Sequence, residues 1–114
     1  RCYRNRLVRK PWHVSLSGRK VDARRKGLPF DLTDEWCIER WTGFCEITGI
    51  QFQLGHGRCS SFSPTIDRID SNLGYTKDNC RFVIHAINSF KGGMTDEEMF
   101  MIMETTINRR GAAA

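Results

Sequence analysis

The sequence predicts an α+β fold: a small two-stranded sheet whose second strand runs into a short helix, with further helices on its flanks. Three observations lead there. Ile66 to Asp70 alternates apolar and charged residues as a half-buried strand does, Cys80 to Ile84 reads as its neighbour, and Asn72 with Gly74 marks the bend after the first. Behind the second strand, HAINSFKGG has the length of a brief helix that Gly92-Gly93 stops. The length agrees, because 114 residues build one compact domain and not two.

Taken in order, residues 1–14 mix basic and aromatic side chains without a firm period, and Pro11 interrupts any helix there, so the front reads as an arm. Ser15 to Lys26 reads as a short basic helix closed by Gly27, a residue suited to the left-handed position after a helix end. Together these make residues 1–26 a basic arm and helix, and residues 27–114 the single compact domain. Thr33 before Asp34 and Glu35 starts a second helix with a hydroxyl cap and two acids against the positive end of its dipole. Trp36, Cys37, Ile38 and Trp41 give that helix an apolar side running to Gly43. CEITGIQFQL suits a small hairpin turning at Thr48-Gly49, and GHGRCSSFSP is a Gly/Ser-rich loop. Thr95 and Glu98 form a capping box for the last helix, whose Met99, Phe100, Ile102, Met103 and Ile107 read as a core-packing side until Gly111.

Composition narrows the function classes. No apolar run approaches the roughly 20 residues of a membrane helix. Five cysteines, an odd number without regular spacing, argue against a secreted disulfide framework and for a reducing cytoplasm. The chain opens on Arg1 with nothing like a signal peptide's apolar stretch, as an excised or processed piece would. The net charge of +5 is unevenly spread: residues 1–26 hold ten Lys/Arg against one acid, and the rest eight against twelve. A basic front favours a polyanionic partner through counterion release, although a solvated arm has the same composition. Arg19, Lys20, Arg24, Arg25 and Lys26 are its candidate phosphate contacts.

CEITG, PTIDRID and GYTKDNCRFVIHAINSFKGG together resemble the HNH, or His-Me finger, endonucleases with their ββα-metal core, especially the versions of phages and mobile elements. ARRKGLPFDLTDE is similar to the lead-in of that group, so the resemblance runs over roughly residues 20–93. It implies a metal-dependent DNA endonuclease or nickase acting on double-stranded DNA in a bacterial cytoplasm, encoded by the host or by a phage. Asp67 then matches the acid of the first motif that helps hold a divalent metal, Asn79 the residue that fixes the loop, and Asn88 the ligand on the short helix. Mg²⁺ suits a carboxylate and an amide oxygen, with Mn²⁺ as a substitute. Lys91 adds a further candidate phosphate contact.

The departure is Arg68, which stands where the family has its general-base His. An Arg is protonated at ordinary pH and so is a poor base, although a good phosphate clamp. Three repairs are open: His56 in the GHG loop, His85 on the short helix, or water activated by the metal with Arg68 stabilising charge. The alternative is an inactive nucleic-acid-binding module on the same scaffold, and a third reading is an interaction protein of a phage particle. Asp70, on the same side of an extended strand, is expected to pair with Arg68. No C-x-x-C occurs, so a structural zinc is not expected, and Cys45, Cys59 and Cys80 read as small buried residues. Each of these polar residues also has a plain reading as a surface ion pair, a turn cap or a polar helix face. Cutting both strands would need two sites, hence a homodimer or successive nicks.

Overall fold

The computed structural model describes residues 10–55 and 59–113. The elements run α1 (His13–Lys26), α2 (Asp34–Arg40), β1 (Pro64–Arg68), β2 (Cys80–Ile84), α3 (His85–Lys91) and α4 (Asp96–Ala113). β1 and β2 form a two-stranded antiparallel sheet with Ile66 opposite Phe82 and Asp67 opposite Arg81. α3 follows β2 without an intervening residue.

α1 ends as its sequence dictates. Gly27 takes φ 69° and donates to the carbonyl of Arg24, while Leu28 donates to that of Ala23, so the last carbonyls of the helix are satisfied. The start lies earlier than the sequence suggests, at His13. Ser15 Oγ accepts the Ile66 N–H at 2.9 Å, and Arg19 Nε donates to the Ile66 carbonyl at 3.0 Å, docking α1 on β1. Trp12 and Ala23 are buried with the rest of the core. Residues 1–9 of the expected arm lie outside the described residues.

Thr33 caps α2 by accepting the Trp36 N–H at 3.1 Å. The helix stops at Arg40 rather than Gly43, and of its expected apolar side Ile38 faces solvent. The segment after it makes a tight reversal through Gly49 (φ 78°), but only the Phe44–Gln51 pair is a β-bridge, so no hairpin strands form. Around Trp41 the aromatic rings of Trp12, Phe52 and Phe82 gather at centroid distances of 5.6, 5.0 and 5.2 Å. Burial of such rings stabilises by about 1.5–3 kcal/mol each. Cys45 and Cys80 join this core, whereas Cys59 is exposed, against expectation, because it stands in the loop before β1.

The entry segment Leu28 to Leu32 lies against the loop after β1. Phe30 bridges Tyr75 in parallel, and Tyr75 donates to the Pro29 carbonyl at 2.9 Å. The approach requires glycine at 74, since a Cβ there would stand 2.5 Å from the Pro29 oxygen.

α4 shows both halves of its capping box: Glu98 Oε1 accepts the Thr95 N–H at 3.0 Å and Thr95 Oγ1 the Glu98 N–H at 3.1 Å. The helix continues through Gly111 to Ala113. Its apolar side is not core. Met99 is buried, but Phe100, Ile102 and Ile107 are exposed, because the helix leaves the body after its first turn. No helix among the described residues is long and apolar enough to cross a membrane.

Candidate functional site

The ββα unit places its polar residues around one cleft of about 210 Å³, lined by Arg19, Lys26, Asp67, Arg68, Tyr75 and Asn88 among others. β1 supplies Asp67 and Arg68, the loop after it Tyr75, α3 Asn88, and α1 the two remaining cations.

Asp67 is buried, and its Oδ2 accepts from Arg81 Nε at 2.9 Å and from Lys91 Nζ at 3.4 Å. The register explains the first pair, since residues opposed in an antiparallel sheet share a face. Lys91, the last residue of α3, is 1% exposed, and its ammonium also donates to the carbonyls of Arg68 and of Ile69, the latter at 2.9 Å. Lys91 is therefore a structural cation inside the unit and not the surface phosphate contact its sequence position suggests. The carbonyls that end β1, together with two acids, offer it more partners than the surface would.

Asp96, the first residue of α4, completes a four-residue ionic cluster. Its two oxygens accept from Arg81 Nη1 and Nη2 at 2.8 and 2.7 Å, and Lys91 Nζ lies 3.7 Å away. The bidentate Arg81 hydrogen bonds, with the positive charges of Arg81 and Lys91, hold the Asp96 carboxyl below its ordinary range. Arg81 is raised in turn, first by its bonds to Asp96. Arg81 and Asp96 are site residues that the sequence reading missed. The signal for Arg81 was its place opposite Asp67, which becomes visible only when the strand register is known.

Arg68 does not pair with Asp70. Its guanidinium lies over the Tyr75 ring, 4.6 Å from the centroid, and Nη1 donates to the Leu73 carbonyl at 2.9 Å. Nε and Nη2 have no acceptor among the described residues, so the stacked fork presents two donors at the cleft. Asp70 instead accepts the Asn72 N–H at 2.9 Å, a turn that the end of β1 at Arg68 makes room for.

Asn79 is buried and ties the loop to itself. Its Nδ2 donates to the carbonyls of Asp70 and Gly74 at 3.0 and 2.9 Å, and its Oδ1 accepts the Asp70 N–H at 2.9 Å. Tyr75 is thereby fixed beneath Arg68. Asn88 is half-buried on α3, with no hydrogen bond from its carboxamide to any described residue.

Of the expected imidazoles, His85 is exposed at the start of α3 and does not line the cleft, and His56 lies outside the described residues. The basic residues divide as well. Arg19 spends its guanidinium on the Ile66 carbonyl, Thr65 and Asp22, and Arg25 pairs with Asp22. Lys20, Arg24 and Lys26 are exposed, Lys26 at the cleft itself.

The donor set admits a divalent cation of oxygen preference. Asp67 Oδ1 and the Asn88 carboxamide have no protein partner among the described residues, and both residues border the same cleft. A carboxylate and an amide oxygen leave the remaining positions of such a cation to water and phosphate. Among the described residues no three His, Cys, Asp or Glu side chains stand together, so a closed protein cage is not on offer.

The sheet, the helix that follows it and the braced loop define an HNH-like ββα core on which the other helices are packed. Among solved structures the chain is similar to the rare-cutting HNH restriction endonuclease PacI, described for an extraordinary mechanism of DNA perturbation. The TM-score is 0.61 at 18% identity, over 86% of this chain and 80% of that one. No protein-family model matches the chain, and no curated protein does.

Proposed function

We propose that the chain is a metal-dependent DNA endonuclease or nickase that hydrolyses a phosphodiester held in the cleft between β1 and α3. One observation carries the reading: Asp67 and Arg68 of β1 and Asn88 of α3, the two ends of the ββα unit, border a single cleft. A backbone phosphate seated there meets the two unpaired donors of Arg68 and the Lys26 ammonium. Arg68 is held by stacking on Tyr75, so its fork is oriented before substrate arrives and loses little freedom on binding. Lys20, Arg24 and Lys26 on α1 extend the positive surface for the neighbouring backbone.

Asp67 and Asn88 would hold the divalent cation, Mg²⁺ or Mn²⁺, whose bound presence supplies charge neutralisation at the phosphate. Arg81 and Lys91 fix the orientation of Asp67 by binding Oδ2, which leaves Oδ1 toward the cleft. Asn79 maintains the loop that carries Tyr75.

A second reading, a DNA-binding module without hydrolysis on the same scaffold, is favoured by one observation: no imidazole among the described residues lines the cleft. Incubating supercoiled plasmid with the protein in Mg²⁺, Mn²⁺ or EDTA separates the two. Nicking that appears with metal and stops with EDTA supports the nuclease. Salt-dependent binding without cleavage under either metal would give the module first place.

A further inference from the structure

We propose that Asp96, on α4 and outside the ββα unit, is a positioning residue for the cation site: it grips the Arg81 guanidinium that fixes Asp67, and it cancels one of the two positive charges set against that carboxylate. The inference rests on the metal-dependent reading above. Asp67 is the one acid among the residues that line the cleft, so the charge a divalent cation meets there depends on what surrounds this carboxylate. Arg81 Nε and Lys91 Nζ both lie against its Oδ2, at 2.9 and 3.4 Å. The side chains of Asp67 and Lys91 are 5 and 1% exposed, so solvent screens these charges little. Asp67 with its two cations carries one net positive charge. Arg68 and Lys26, which have no acid partner among the described residues, add to it at the cleft. On these groups alone a divalent cation is repelled.

Asp96 reverses that balance. Its two oxygens accept from Arg81 Nη1 and Nη2 at 2.8 and 2.7 Å, and Lys91 Nζ lies 3.7 Å from Oδ1. The four-residue cluster is then neutral, and the charge of Asp67 is available at the cleft. Geometry adds a second effect. Arg81 spans the two acids, with Nε on Asp67 and both terminal nitrogens on Asp96, so the bidentate grip sets the plane of the guanidinium and with it the Asp67 oxygen that Nε takes. A buried ligand carboxylate is oriented in this way by the groups behind it. Asp96 does not line the cleft, and so acts through Arg81 rather than on the cation. Its own place is fixed by the chain, because it follows Thr95 in a first turn that the Thr95 and Glu98 capping box holds.

Titrating the full chain with Mn²⁺, alone and with a short duplex, while the paramagnetic resonance signal of free Mn²⁺ is read, measures the affinity of the site separately from turnover. Each variant is held below its unfolding transition, checked by far-UV circular dichroism. Asp96→Asn is expected to bind Mn²⁺ about tenfold or more weaker than wild type, and Asp96→Glu within about threefold of it. In plasmid nicking the Mn²⁺ concentration for half-maximal rate should rise by the same factor for Asp96→Asn, while the rate at saturating Mn²⁺ changes by less than about threefold. Arg81→Gln with Asp96→Asn removes a cation together with the acid and makes the cluster neutral again, so this double variant should bind Mn²⁺ better than Asp96→Asn although it has lost more native contacts. An Asp96→Asn chain that binds Mn²⁺ like wild type overturns the proposal. So does a double variant weaker than the single one, since lost packing would then explain both. A wild type that binds no Mn²⁺ in either titration overturns the metal-dependent reading as well.

Discussion

Replacing Lys91 by Met keeps the length of the side chain and removes its charge from a position that is 1% exposed. Two main-chain carbonyls, of Arg68 and Ile69, lose their donor, and Asp67 keeps only Arg81. Each buried acceptor left unpaired costs about 1–3 kcal/mol, and removing one partner of a buried ion pair costs about 3–5. Because Arg81 still compensates Asp67, the combined loss is expected near 3–5 kcal/mol, a large part of the roughly 5–15 kcal/mol that holds a domain folded. In urea, with a slope of about 2 kcal/mol per molar, the midpoint falls by roughly 2 M. Lys20→Met, at an exposed position of α1, is the control and should stay within about 0.5 kcal/mol of wild type. A Lys91→Met protein as stable as that control would refute the structural role given to the ammonium, and would return Lys91 to the phosphate-contact role.

The ionic cluster also sets a pH dependence. The Asp96 carboxyl is lowered in the folded protein by its Arg81 hydrogen bonds, so its stabilisation is present above the ordinary carboxylate range near 3.8 and is lost as pH falls through the folded value. Wild type should therefore exceed Asp96→Asn in thermal stability at neutral pH, with the gap closing below about pH 4. Gly74→Ala should cost about 1–3 kcal/mol by urea unfolding, because its Cβ would meet the Pro29 carbonyl at 2.5 Å. An unchanged midpoint would show that the entry segment can retreat. His85→Ala, at an exposed residue away from the cleft, should leave plasmid nicking unaltered.

Where short-range signals decide the structure, they were readable. Gly27 closes α1, Thr33 caps α2, the Thr95 and Glu98 box opens α4, and β2 spans Cys80–Ile84, because each depends on neighbours a few residues away. What depended on tertiary partners was not. A lysine at a helix end reads as surface, yet carbonyls at the end of β1 draw Lys91 inside. Strand alternation puts Arg68 and Asp70 together, but β1 ends at Arg68 and the two part, one to Tyr75 and the other to Asn72. The apolar spacing of α4 is the same whether the helix meets its own core or stands free of it. The cleft borders motif positions Asp67 and Asn88, which the sequence marks, while Tyr75 reaches it only through loop geometry, and Arg81 meets Asp67 only through strand register.

Asn88→Ala tests directly whether the cleft hydrolyses DNA, because this side chain borders the cleft without a hydrogen bond to the described protein, so its loss should leave the fold alone. The measurement is the rate of metal-dependent nicking of supercoiled plasmid, beside urea unfolding and DNA binding of the same sample. Stability within about 0.5 kcal/mol of wild type, retained binding, and nicking reduced by about 100-fold or more are expected. A variant that nicks at the wild-type rate with Mg²⁺ would contradict the assignment of the cleft as the site of hydrolysis.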